Sequence, residues 1–493
     1  MRFDVVIIGF GTSGFFVAFE LIKAGLRVAV IESENFIGAS LVSSLVFPTA
    51  GFHTLNGKLI ITDGVREFLD FCVENGFSKG HIRDPLNFSY SITPIDPLAY
   101  NVFFVKYFLG SLGKNFMLFS KSQIEDIQEK SGIIKSIVIK YNGKRLRISA
   151  NFFVDASGIL KLSDLLDIDY RFDFNNLQAC TLIFRISGVN FKKIIEYMKN
   201  NKDDFYYKTD LSLVLKEKFL SVSGYFNLAS KTLFNSDLFL SRDRFLFFGD
   251  IDKNTIYVNT SRIFFKDIVD FILKLERLKK EDFLKECGNY TLPILKPVSG
   301  ENDKGSIEQF DIKKYGIDSI SYDFIERVGY YLSIKQVIYI YNVMRSYIEG
   351  FENSYIDLVA NKLGVRQYKI LNGDYVLSLD DVIKLKDFDD KICIGTWPID
   401  IHIKDKVIEN KVDENGYFIP FRSLITKKYK NLIFVGKHIS SDDYAFSSLR
   451  IQATCMNMGS IVGKLLVNLI NKKTYILDVD FSLLKEIFKK SFF

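Results

Sequence analysis

An apolar run over residues 3–8 leads into Gly9-Phe10-Gly11-Thr12-Ser13-Gly14; a helical stretch follows, and a second apolar run over residues 28–31 stops at Glu32. Strand, glycine turn, helix, strand and acid in that order read as a βαβ unit that binds an adenine dinucleotide. Gly9 permits the tight turn, Gly11 lets backbone approach a pyrophosphate, and Gly14 lets the helix lie close to the strand. The helix that opens at Thr12 and Ser13 offers unpaired amides and the positive end of its dipole to phosphate oxygens. The dipole contributes only about 0.3–1 kcal/mol. Charge-assisted hydrogen bonds, at about 1.5–3 kcal/mol each, therefore do most of the holding. Glu32 suits ribose hydroxyls and repels a ribose phosphate, which favours FAD or NAD over NADP.

The 493-residue chain carries 65 basic and 59 acidic residues, a formal charge of +6. The lysines do not gather into one block, so nucleic acid is not an expected partner. Cys72, Cys180, Cys287, Cys393 and Cys455 are dispersed, odd in number and without a Cys-x-x-Cys pair, which argues against a disulfide framework or zinc site and for reduced thiols in the cytoplasm. Asp4, Glu20 and Lys23 interrupt the apolar N-terminus, so it is expected to be a buried parallel strand and helix and not a membrane span.

Beyond Glu32, residues 33–40 read as a loop whose Gly38 and small neighbours, Ser40 among them, could pass close to a cofactor, or as an ordinary loop after a strand. Helical spacing marks residues 63–75 and 98–112, the second opened by Asp96-Pro97. Alternating segments at 116–119, 123–127, 133–141 and 145–148, with Asn142-Gly143 as a hairpin turn, predict an antiparallel ribbon. The ribbon feeds a second apolar strand that ends in Asp155-Ala156-Ser157-Gly158. Residues 171–411 differ in character, with strand-like runs followed by lysine-rich amphipathic helices, and a polar loop at 300–305. A strand at 431–435 then enters Gly436, and a helix over about 449–471 carries Gly459 and Gly463 on one face.

Taken in order, these blocks resemble the FAD-dependent oxidoreductases of the glutathione-reductase-like class, in particular the large bacterial group known by that name. The resemblance rests on the opening fingerprint, Gly51-Phe52-His53-Thr54, Thr93-Pro94-Ile95-Asp96-Pro97, Val154-Asp155-Ala156-Ser157-Gly158, Gly364-Val365-Arg366, Gly373-Asp374-Tyr375, Pro398-Ile399-Asp400-Ile401-His402, Ile419-Pro420-Phe421-Arg422 and Ser448-Leu449-Arg450. It implies an α/β fold: a discontinuous Rossmann-like FAD-binding domain over residues 1–170 and 411–475, a parallel sheet with an antiparallel ribbon, plus an α+β substrate or cap domain over 171–410. Residues 264–315 read as an insertion and 476–493 as a C-terminal tail. By the same resemblance Gly9, Gly11, Thr12, Ser13 and Gly14 hold the pyrophosphate, Glu32 the adenosine ribose and the backbone near Ile124 the adenine. Gly38, Ser40, Asp155, Ser157 and Gly158 border the cofactor, and Gly436 and Gly459 sit by its ribityl chain and ring. Departures occur at Gly158-Ile159-Leu160-Lys161, where the family often has Gly-Asp-Gly-Asp, and at Lys437-His438, where it often has arginine and cysteine.

A flavin carries the redox chemistry, so the chain needs chiefly to position a substrate and manage a proton. His53 is the candidate base, or else a structural histidine bonded to backbone. Arg366, Arg422 and Arg450 could each clamp a carboxylate or phosphate, or serve in ion pairs; Arg422 is preferred for substrate contact. His402 reads as a structural partner of Asp400, His438 lies close to the flavin, and His81 sits in an exposed segment without a role. No histidines share metal-ligand spacing, so no metal is expected. The leading expectation is hydride transfer between a small organic substrate and FAD, with an unspecified electron acceptor or donor. The alternatives are a reductase of an unsaturated or isoprenoid-like substrate, and a non-catalytic FAD-binding assembly or regulatory protein.

Overall fold

The computed structural model describes residues 1–173, 176–277, 322–402, 407–410 and 412–493. β1 (Arg2–Ile8) and β2 (Val28–Ile31) flank α1 (Thr12–Lys23). β3 (Phe116–Phe119), β4 (Gln123–Lys130), β5 (Ile133–Tyr141) and β6 (Lys144–Asp155) follow, giving the strand order β3-β2-β1-β6-β5-β4. The β1, β2 and β3 contacts are parallel, and the far half of β6 runs parallel to β1. Its near half turns back on β5 through Asn142 and Gly143, at φ of +48° and +75°. Two successive left-handed residues are what the tight hairpin turn read from Asn-Gly requires.

The middle of the chain builds a second sheet from β7 (Phe184–Ser187), β8 (Phe219–Gly224), β9 (Phe245–Asp250), β10 (Thr255–Val258) and, after the long helix α2 (Tyr322–Tyr347), β11 (Tyr355–Val359). Its order is β8-β9-β10-β7-β11, antiparallel throughout. The expected insertion begins as a helix, Phe265–Arg277, whose Ile268, Val269 and Ile272 are buried in this second core. The rest of it, with Cys287 and the 300–305 loop, lies outside the described residues.

The chain then returns to the first sheet. β12 (Leu432–Phe434) pairs in parallel with β6, and α3 (Gln452–Lys472) lies along α1. Both faces of β1 are covered: Val5 and Ile7 belong to the core shared with α1 and α3, Val6 and Ile8 to the core on the ribbon side. That double burial is why the strand reads as an unbroken apolar run. The α1/α3 core also takes in Leu377, Ile392 and Ile399, so it reaches back into residues assigned from sequence to the cap. Within the C-terminal tail, residues 481–492 form a helix that buries Leu484 and Phe488 in the same core. α3 is the one described helix long and apolar enough to cross a membrane, and 78% of its apolar window is buried inside the protein.

Candidate functional site

The parallel register brings four chain segments to one edge of the first sheet. Ile8 sits beside both Ile31 and Asp155, and Asp155 beside Phe434, so the chain leaves the sheet at Gly9, Glu32, Ala156 and Val435 within one small region. Open α/β sheets bind their ligands at this carboxyl edge. Gly9 has a φ of +94°, and a Cβ on it would come within 2.7 Å of the Ala156 carbonyl oxygen. A Cβ on Gly14 would stand 2.1 Å from the Gly9 carbonyl oxygen, so both glycines are required for the turn to close.

Among the described residues, the amides of Gly11, Thr12, Ser13 and Gly14 have no hydrogen-bond acceptor, and α1 has no side-chain cap. Four unpaired donors converging at a helix start fit a pyrophosphate. Glu32 is nearby, accepting from the Phe10 amide at 2.6 Å and the Glu34 amide at 2.9 Å. Burial raises its pKa against the pull of those two donors. The Gly38 amide donates to the Phe10 carbonyl at 3.0 Å, so the loop that carries Gly38 and Ser40 closes over the glycine turn. The Ser122 amide donates to the Glu32 carbonyl at 3.0 Å, which sets the start of β4, with Ile124, beside the acid. The residues present fit an adenine dinucleotide.

Three of the residues expected beside the cofactor, Asp155, Ser157 and Gly459, also hold the protein's own framework. Asp155 is fully buried and its carboxylate accepts from the Ser157 amide and hydroxyl (3.0 and 2.6 Å) and the Leu162 amide (2.9 Å). The Asp155 and Ser157 side chains thus brace the loop that carries Gly158. Gly459 lies against α1: a Cβ there would be 2.3 Å from the Ser13 carbonyl oxygen. Its smallness lets α3 press on the helix whose first turn holds the open amides, and a Cβ on Gly436 would come 2.9 Å from Ser13 Oγ.

His53 is half-buried near the start of α3, because Gly51 packs against Ile451 and Ala453. Its Nδ1 is 2.7 Å from Ser91 Oγ. Its ring meets the edge of His81 at 4.9 Å between centroids, an association the sequence did not suggest. Burial, then the charge of Arg83, lowers the His53 pKa, so the ring is neutral at pH 7. In the tautomer whose Nδ1–H donates to Ser91, Nε2 keeps a lone pair for a proton.

Arg422 is engaged elsewhere. Its Nε and Nη2 donate to the buried carboxylate of Asp390 at 2.9 and 3.0 Å, and the guanidinium lies over the Tyr375 ring. A fork already filled by a carboxylate is not a substrate clamp, so the preferred role for Arg422 gives way to an ion pair. Arg366 and Arg450 come together in the interior, where Arg366 donates to the Ala179 carbonyl and Thr181 Oγ1. Burial, then the charge of Arg450, pushes the Arg366 pKa down to about 9. Arg450 donates to the Asp400 carbonyl at 3.1 Å. Asp400 pairs with His402 at 3.0 Å, the expected structural pair. Burial opposes ionisation of Asp400, but His402, Arg450 and Arg366 outweigh it and hold the carboxyl well below its usual range.

Lys437 donates to the Val365 carbonyl and reaches past Gly158; burial pushes its pKa down to about 8. His438 Nε2 lies 3.2 Å from the Asp155 carbonyl oxygen. Among the described residues no group of three or more His, Cys, Asp or Glu is placed to hold a metal.

Residues 4–488 match the family described as FAD dependent oxidoreductase. Over 166 residues the chain is 24% identical to the thiamine thiazole synthase of Thermococcus kodakarensis, a match over 32% of this chain and 58% of that protein. The Pyrococcus horikoshii enzyme of the same name is 25% identical over 169 residues, again 58% of its length, so the chain spans little more than half of the curated relatives it matches. Among solved structures, a geranylgeranyl bacteriochlorophyll reductase-like protein from Thermoplasma acidophilum overlays on 99% of this chain and 82% of its own, with 10% identity and a TM-score of 0.43. The myxobacterial chondrochloren halogenase CndH covers 99% and 78%, with 12% identity and a TM-score of 0.42.

Proposed function

The chain belongs to the FAD-dependent oxidoreductase family, and from that premise we propose that it transfers a hydride between a small organic substrate and its FAD. The observation that carries the reading is the set of four open amides from Gly11 to Gly14, with Glu32 at the adjoining strand end. FAD, when bound, supplies a two-electron centre that accepts or gives a hydride. The protein's part is to hold and shield. The first turn of α1 binds the pyrophosphate, and Glu32 takes ribose hydroxyls while it keeps the glycine turn closed.

His53 manages the proton. Ser91 fixes its ring, and Nε2 of the neutral imidazole takes a substrate proton or holds one for return. Its depressed pKa keeps it unprotonated at neutral pH. The substrate reaches His53 on the side of Gly51, which packs against Ile451 and Ala453 at the start of α3.

The test is anaerobic titration of the purified yellow protein with a panel of small metabolites, following the flavin spectrum. A substrate bleaches the flavin, and His53→Ala retains FAD but bleaches more slowly by about a hundredfold or more. If no compound changes the redox state of bound FAD and His53→Ala behaves as the parent, the proposal fails.

A further inference from the structure

At the junction of the two cores, several buried nitrogen donors lack partners. Gln178 is 1% exposed; its amide donates to Gln367 Oε1, its Oε1 faces the His402 amide at 3.5 Å, and its Nε2 has no partner. Arg450 Nε and Trp397 Nε1 are buried without partners as well. The Trp397 backbone is tied to the same region, since its carbonyl accepts from Ser448 Oγ, two residues before Arg450, and its indole ring packs on Phe88 at 5.2 Å between centroids. Such donors cost free energy when left unpaired, about 1–3 kcal/mol each.

The charges lean the same way. His402 is neutral at pH 7, because burial pushes its pKa down to about 4 against the pull of Asp400. Two guanidiniums, Arg366 and Arg450, then face one carboxylate, Asp400. The side chains of Arg450, Asp400 and His402 still keep 12%, 16% and 14% of their surface accessible, so the cluster is not sealed off from solvent. An interior region with surplus positive charge and open donors calls for an acceptor-rich anion.

We propose that Arg366 and Arg450 form the receptor for an anionic oxygen group of the substrate, a carboxylate or a phosphate, with Gln178 and Trp397 as hydrogen-bond donors to it. Asp400 and His402 are positioning residues that fix the Arg450 fork. The assignment rests on the flavoenzyme reading above only in calling the ligand the substrate. It disfavours a purely isoprenoid substrate, which would leave every one of these donors unpaired.

Trp397 is the chain's one tryptophan, so tryptophan emission reports on its surroundings alone. Purified holoprotein is titrated with sodium benzoate and, separately, inorganic phosphate, at constant ionic strength with sodium chloride as the reference, following Trp397 emission and flavin absorbance. One of the two anions gives a saturable change that chloride does not, and which one does so distinguishes a carboxylate from a phosphate. Arg450→Lys and Arg366→Lys keep the charge but lose the planar fork. Each retains FAD and weakens the apparent affinity tenfold or more. A yellow protein that shows no saturable response to either anion, or the same response in both variants, overturns the receptor. A colourless protein overturns the flavoenzyme reading instead, and with it the ligand's standing as substrate.

Discussion

The carboxylate of Glu32 accepts the amide of Phe10 at 2.6 Å, so the acid at the end of β2 also clamps the glycine turn at the end of β1. Glu32→Gln keeps one acceptor oxygen and loses the charge, and weakens FAD binding by about tenfold; Glu32→Ala loses both acceptors and weakens it further. Equilibrium dialysis against FAD checks the order. Equal affinity in the parent and Glu32→Ala would remove the acid from the site.

Gly459 and Ser13 make the closest helix contact near the amides. A methyl at Gly459 meets backbone, which cannot rotate aside, so Gly459→Ala costs about 1–3 kcal/mol of stability. It also displaces the first turn of α1, so FAD affinity falls together with the denaturation midpoint. A Gly459→Ala protein with unchanged midpoint would show that the two helices have slack at this point.

Arg422→Ala strips the fully buried Asp390 carboxylate of two side-chain donors, while the Arg422 side chain is 40% exposed. Stability drops by about 1–3 kcal/mol in chemical denaturation. KM for the substrate, once identified, stays at the parent value. A raised KM with unchanged stability would return Arg422 to the substrate role first read from the sequence.

Two buried histidines make the fold acid-sensitive. His402 and His438 both have pKa values pushed below the ordinary value, foremost by burial, His402 to about 4. The unfolded chain therefore takes up these protons first as the pH drops below about 6.5. Stability is complete above that value and declines towards pH 4, by up to about 1.4 kcal/mol per pH unit for each group. Urea unfolding at several pH values measures the slope, and His402→Asn flattens it by about one group's share. Stability that stays level or rises between pH 7 and 5 would contradict the neutral burial of both rings.

Much of the flavin side was legible because its signals are local. The period and apolarity of β1 and β2, the glycines between them and the Asn142-Gly143 turn each specify backbone shape within a few residues. The spacing of Gly459 and Gly463 marks a face that can lie close against backbone or a ring system, and the structure puts the backbone of α1 there. What could not be read were pairings across distant segments. Nothing near Arg422 marks Asp390 as its partner rather than the adjacent Asp389, and an acid at a strand end looks the same whether it faces a ligand or, as Asp155 does, its own loop. The roles of Gln178 and Trp397 rest on donors left unpaired by the whole fold, which no local pattern records.

The central claim is that the first turn of α1 holds FAD. Heat release of the bound chromophore from purified protein, followed by chromatography against FAD, FMN and NAD standards, tests it most directly. The account predicts FAD in an amount close to that of the protein. A colourless protein that also leaves added FAD unbound in dialysis would contradict it.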